Sequence, residues 1–308
     1  MYFPYLRGKQ FEMEALLGVP STVYRNTLPI VEPVNTSSDR FYLRIAQAGH
    51  PLLLIMNPQH PQRDRLSMAT IQANLVNGPL ATHPSLALGY IIDQHATLAE
   101  LNTFLASNPG RRKAVIFRHT PLTASLTAID SVLRSHSVDF LMFDDKRSSA
   151  RLRTALSWHP NHVVLTDGFQ KQDRNSNYPA YSAFDSNVST WRADGLAGIG
   201  DYATIGDHFT EGGAQPRVVT LHMTIPEPAG LEAHHFSSTL SPSSAGAIGP
   251  KFAEACRLLV TSPLVVALPA STGIVMYQDW DQRGHLPRLG AAKQASLQHH
   301  IETLSRVL

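Results

Sequence analysis

The residues of this chain best suited to chemistry stand at the ends of short apolar runs. Glu32, Asp93, Asp144, Asp167 and Asp201 each lie at or just past such a run, and so do Lys9, Asn57 and the pair Arg118 and His119. Carboxylates that converge on one place can hold a divalent metal, take a proton as a general base or bind a cation, and nearby histidines can complete a metal shell or protonate a leaving group. On that chemistry Glu32 or Asp201 is the base, His119 or His234 the acid, and Asp93, Asp144 and Asp167 the candidates for a metal. Arg7, Lys9 and Arg118 would take a phosphate, arginine by paired hydrogen bonds and lysine as a point charge. None of the spacings is a metal motif: there is no HExxH, no Cys-x-x-Cys and no His-x-His. The competing reading is a salt-bridge network in which these acids and bases neutralise one another.

The runs themselves say how the charges would meet. They are Tyr2–Leu6, Leu28–Val34, Leu52–Met56, Leu86–Ile92, Ala114–Phe117, Asp139–Phe143, His162–Leu165 and Leu196–Ile199. Helix-length stretches lie between them, including Lys9–Leu17, Ser38–Ala48, Met68–Val76, Leu98–Ala106, Thr123–Ser135 and Ser148–Ser157. Thr97 with Glu100 three positions on is a capping box, and Ser37 or Ser38 is placed to cap another helix. Eight alternating strand and helix units predict a (β/α)8 TIM-type barrel over residues 1–205, whose C-terminal rim would carry all the charges named above. Lys9, Glu32 and Asp201 follow the first, second and eighth strands and should therefore share one pocket.

Beyond that barrel the pattern changes. Gln170–Arg192 reads as a long polar loop, and Gly206–Gly213 as another. Arg217–Ile225 and Leu231–Ser237 alternate as strands do, with Pro226–Gly230 as their turn, so residues 206–308 predict an appended β-hairpin followed by helices near Gly249–Val260, Ser271–Asp281 and Leu289–Val307. Alternation sends His234 and His235 to opposite faces, so only one of them can join His222 or face the mouth. His299 and His300 are adjacent on the last helix, about 100° apart, and one of them is expected to bond a backbone carbonyl. Lys293, near the start of the same helix, is placed to help hold an anion. In Gly195-Leu196-Ala197-Gly198-Ile199-Gly200 the glycines lack dinucleotide-binding spacing and predict a strand that something approaches closely.

With 308 residues, 43 % of them apolar, the chain can bury a full core as a single domain. The net charge is +2 with 15 histidines, which argues against a generic nucleic-acid coat. The one cysteine, Cys256, rules out an internal disulfide and fits a reducing compartment. The start of the sequence lacks the pattern of a secretory signal and no stretch approaches about 18 consecutive apolar residues, so a cytoplasmic protein with no membrane partner is expected.

Several short motifs also resemble a known family. Tyr5-Leu6-Arg7-Gly8-Lys9-Gln10-Phe11-Glu12, Pro29-Ile30-Val31-Glu32-Pro33, Gly200-Asp201-Tyr202 and Gly284-His285-Leu286-Pro287, with Lys293 and His299-His300, are similar in order and spacing to the beta-protein family of bacteria and phages. The resemblance implies a TIM-type barrel of no established activity, in a setting of mobile elements and anti-phage islands, and it adds Tyr202 to the ligand-binding candidates. Two functions fit. One is a phosphodiesterase-like hydrolase or binder of a phosphorylated small molecule or nucleotide, with a divalent metal as its conceivable cofactor. The other is a non-catalytic component that binds a partner protein, such as a nuclease encoded nearby.

Overall fold

The computed structural model describes residues 1–36, 39–59, 66–185, 187–208, 216–239 and 248–308. Ser37, Ser38 and the Phe209–Gly213 part of the second expected loop lie outside the described residues. The chain packs as two compact units, each discontinuous in sequence. The first comprises Met1–Lys9, Asn26–Asp167 and Thr190–Asp201, and the second Gln10–Arg25, Gly168–Ser189 and Tyr202–Leu308. Among the described residues no helix is long and apolar enough to cross a membrane.

The first unit is built on a closed barrel of eight parallel strands. In chain order these are β1 (Tyr2–Leu6), β2 (Ile30–Val31), β3 (Leu52–Ile55), β4 (Leu86–Ile92), β5 (Arg112–Phe117), β6 (Phe140–Asp144), β7 (His162–Thr166) and, after an intervening strand β8 (Tyr181–Asp185) of the other unit, β9 (Gly198–Asp201). Strand β9 pairs with both β7 and β1 and so closes the ring. The (β/α)8 expectation holds, with every expected strand present. Its helices are α2 (Asp39–Gln47), α3 (Met68–Ile71), α4 (Leu98–Ala106), α5 (Thr123–Arg134) and α6 (Ala150–Ala155). The capping box of Thr97 and Glu100 opens α4 as the sequence implies. The stretch Met68–Val76 forms α3 only to Ile71 and continues as a wider π turn from Gln72.

Which side chains enter the barrel follows from one contact. Phe3 on β1 meets Phe140 on β6 edge-on, ring centroids 5.1 Å apart, and these strands are not neighbours in the ring, so the contact spans the interior. Side chains alternate along a strand and paired residues of parallel strands share a face. Phe3 and Tyr5 therefore point inward together with Ile30, Leu53, Ile55, Gly89, Ile116, Met142 and Leu165, their partners in register. Gly198 and Gly200 complete the circle. A side chain at Gly200 would collide with Leu165 Cδ2 at 2.6 Å, and one at Gly198 with Phe3 Cε2 at 2.7 Å, so the small residues of β9 make room for the Phe3 ring, as the close approach read from their sequence requires.

The second unit has a three-stranded antiparallel sheet in the order β10 (Thr220–Glu227), β11 (Gly230–Ser237), β8. The hairpin is present, with a turn of only Pro228 and Ala229 between the two long strands. The segment read as a loop, Gln170–Arg192, instead supplies β8 and the short helix α7 (Asn187–Thr190). The unit's helices are α1 (Gln10–Gly18), α8 (Ile248–Thr261), α9 (Pro263–Val266), α10 (Thr272–Arg283) and α11 (Leu289–Val307). One core joins Val219, Leu221 and Met223 at and before β10 to Phe252, Cys256 and Leu259 of α8, Tyr277 and Trp280 of α10 and Ala295 of α11. Among the described residues no strand pairs with the outer edge of β10. There α11 supplies the donors: Ser296 Oγ donates to the His222 carbonyl at 2.6 Å, and His299 Nε2 to the Thr224 carbonyl at 2.8 Å.

Candidate ligand site at the barrel mouth

Carrying the inward phase to the ends of the strands and just beyond identifies the side chains that face the mouth. Arg7 follows Tyr5, Glu32 follows Ile30, Asn57 follows Ile55, Asp93 follows Ile91, Arg118 follows Ile116, Asp144 follows Met142 and Asp167 follows Leu165, each two residues on. The ladder continues far enough to support this phase: the Glu32 amide donates to the Leu6 carbonyl and the Arg118 amide to the Ile92 carbonyl. Seven sequence-distant polar groups thus share the C-terminal rim, where active sites of this architecture are built.

Their chemistry is that of held charges. Glu32, buried, accepts the Tyr5 hydroxyl on Oε2 at 2.8 Å and the Gln59 amide on Oε1 at 2.5 Å. Asp144, also buried, accepts the amides of Lys146 and Arg147 at 3.1 Å each and the Arg147 guanidinium at 2.7 Å. Its Oδ2 further lies 3.7 Å from Arg118 Nε. The Arg118 guanidinium in turn lies 5.9 Å from the centre of the Tyr5 ring, within cation–π range. Tyr5 thereby joins Glu32 to Arg118, and Asp144 joins Arg118 to Arg147, in one network across the mouth. Arg7 is buried and Lys9 half-buried.

Beside Asn57 and Asp93 the rim opens into a cavity of about 300 Å³, lined also by Gln59, Ser67, Tyr90, His95 and Glu100. That volume suits a small ligand. Asp93 accepts the His95 amide at 2.9 Å. Burial, then the Glu100 carboxylate, raises the Tyr90 phenol well above its usual pKa. Asn57 is fixed by two bonds to the main chain of Ile91, donating to its carbonyl and accepting from its amide at 2.8 Å each.

Other expected residues stand elsewhere. Asp201 is inside β9, not past it, and pairs in register with Pro4, so its side chain points to the outer face of the barrel, where the Tyr2 hydroxyl donates to it at 2.9 Å. The expected shared pocket of Lys9, Glu32 and Asp201 is thus corrected at Asp201. His119 is exposed on the turn after β5. Asp167 is engaged by Lys146, which donates to its carbonyl at 2.6 Å. Among the described residues no group of three or more His, Cys, Asp or Glu could hold a metal ion, so Asp93, Asp144 and Asp167 are not brought together as one metal site.

Three candidates belong to the second unit. Tyr202 is buried at the start of a short 3-10 turn, Ala203–Ile205. His234 stacks on Tyr181, centroids 5.5 Å apart, and bonds Glu232 at 3.0 Å. Lys293 does hold an anion, but an internal one: Nζ donates to the buried Glu12 carboxylate at 2.6 Å. Sequence reasoning missed Tyr5, Gln59 and His95. Tyr5 was countable as an apolar strand residue, and its role emerges only once the interior phase of β1 is known.

No family model matches this chain, and neither a curated protein nor a solved structure does.

Proposed function

We propose that the barrel mouth binds a phosphorylated small molecule or nucleotide, with Arg118 and Arg7 receiving the anion. One observation carries this reading: Asp144 and the Tyr5 ring fix the Arg118 guanidinium on the inner face of the rim. A cation held in place before the ligand arrives loses little conformational freedom on binding. In a hydrolytic form of the same site Glu32 is the base, and His95 on the adjoining cavity takes the acid role assigned to His119. A second reading, a non-catalytic binding component that partners another protein, is favoured by the donors already occupying both oxygens of Glu32 and both of Asp144. The resemblance to the beta-protein family supports a cytoplasmic, anti-phage or mobile-element setting for either.

Calorimetric titration with nucleoside mono- and diphosphates tests the reading, alongside hydrolysis of bis(p-nitrophenyl) phosphate with and without divalent cations. Binding that Arg118→Gln weakens at least about tenfold, the worth of one charge-assisted hydrogen bond, supports the anion site. Binding without turnover supports the anion site and overturns only its hydrolytic form, whereas no binding at millimolar ligand overturns both and favours the second reading.

A further inference from the structure

The second unit holds a chain of three polar side chains on one face of its sheet, Ser182 and His235 buried and His222 half-buried. His222 and His235 are directly opposite one another on β10 and β11, and Ser182 on β8 is opposite Ala233, which shares the face of His235. The contacts are atom-specific. Ser182 Oγ lies 3.1 Å from His235 Nε2, and His235 Nδ1 lies 2.8 Å from His222 Nδ1. Two proton arrangements satisfy the chain, and the one that activates the hydroxyl has the serine donating to Nε2 of His235, whose Nδ1–H donates to Nδ1 of His222. A nucleophile bonded to one ring nitrogen of a base, with the other nitrogen held by a third group, is the general arrangement of an activated hydroxyl.

From this geometry we propose that Ser182 is a nucleophile for acyl transfer, with His235 as its general base and His222 as a positioning residue. The proposal is independent of the barrel-mouth reading. Burial keeps both imidazoles neutral at neutral pH, lowering His235 to about 4 and His222 to about 3, so His235 can accept a proton there. The rings of Phe169 and Tyr178 pack on the two histidines with centroids 4.7 to 6.2 Å away. The substrate class that this hydroxyl and base would take is a carboxylic ester. A polar chain where apolar residues would otherwise pack breaks the local rule for a sheet face, as functional sites do.

The step balances without any other reagent. Ser182 Oγ forms a bond to the ester carbonyl carbon while its proton passes to His235 Nε2 and the carbonyl π pair moves to oxygen. Collapse of that intermediate breaks the bond to the alcohol, which leaves with the proton from Nε2. Water then hydrolyses the acyl-serine through the same histidine and regenerates the hydroxyl.

A fluorophosphonate probe on the full chain tests this, since the same hydroxyl would form a bond to phosphorus and release fluoride. With chymotrypsin as the parallel control, peptide mass mapping should place one adduct on Ser182. The adduct should vanish in Ser182→Ala and form at least about a hundredfold more slowly in His235→Gln, within the range for loss of a base. His222→Asn should slow it and move its pH midpoint, which a purely structural role would leave in place. Circular dichroism checks that each variant is folded, and the unmodified protein decides the matter alone if they are not. Its labelling rate should be flat from pH 6 to 8. Absence of an adduct at Ser182 while chymotrypsin reacts, or a rate that rises about tenfold per pH unit through that range as for hydroxide-driven labelling, overturns the proposal.

Discussion

Acidification from pH 8 to pH 5 should destabilise the second unit through its buried histidines, and His299 gives the most direct measure. It is 1 % exposed. Its Nε2 donates to the Thr224 carbonyl, so Nδ1 is the nitrogen that accepts from Ser271 Oγ at 2.8 Å. Protonating Nδ1 would put a full charge in a dry site and require the Ser271 hydroxyl to turn from donor to acceptor. Burial accordingly lowers its pKa from 6.5 to about 4. A histidine whose folded-state value is lowered binds its proton more readily in the unfolded chain, so the stability it contributes is complete above pH 6.5 and is lost as the pH falls toward 4. The two values correspond to about 2 kcal/mol lost by pH 5 and about 3 kcal/mol once the loss is complete. His235, lowered to about 4 by burial and then by His234, adds a similar amount. Together they cost about 4 kcal/mol at pH 5, against a typical domain stability of about 5 to 15 kcal/mol. The assay is urea denaturation at pH 8, 7, 6 and 5, where ordinary carboxylates still contribute little. His299→Gln should lower stability at pH 8 yet flatten the slope between pH 7 and 5 by about 2 kcal/mol. An unchanged slope in the variant, or a wild-type midpoint that does not move over this range, refutes the argument.

Three further outcomes follow from named contacts. Glu32→Gln should leave the barrel folded, because the amide oxygen can accept from the Gln59 N–H while its NH2 donates to Tyr5 Oη, so thermal melting should show a loss of only about 1 to 3 kcal/mol, with ligand binding at the mouth impaired. Lys293→Met removes the half-exposed lysine from the buried Glu12 and should cost about 1 to 3 kcal/mol, most of it recovered by adding Glu12→Gln, as a double-mutant cycle in urea would show. Gly273→Ala places a methyl group on the Ala295 carbonyl oxygen and 2.9 Å from His299 Cβ, so it should force α10 from α11 and lower stability by about 1 to 3 kcal/mol or more; a neutral variant would contradict that close approach.

The existence of the barrel was legible because its runs recur, but the phase of each strand was not. Strands covered on both faces carry apolar residues on both, as in Leu52–Ile55 or Phe140–Phe143, and then no alternation marks which side chains point inward. Asp201 and Glu32 therefore looked equivalent. The structure separates them: Glu32 lies two residues beyond the inward Ile30, whereas Asp201 follows the inward Gly200 by one and faces out. Strand β8 was hidden for another reason. Its Tyr-Ser-Ala-Phe-Asp sequence is short and half polar, and its partner β11 begins 45 residues after β8 ends, at Gly230.

The histidines show how far a single register decides chemistry. The sequence requires only that His234 and His235 face opposite ways. The two-residue turn at Pro228 and Ala229 then sets His235 opposite His222 and leaves His234 to Glu232 and Tyr181. A slip of one residue would exchange those roles, placing His234 against His222. The Ser182 contact would be lost with it, since Ser182 is matched to the face of His235 through Ala233. An inserted residue in this turn should therefore abolish reaction at Ser182 even if the three strands still pair, whereas a structural sheet face of the same composition would lose only stability.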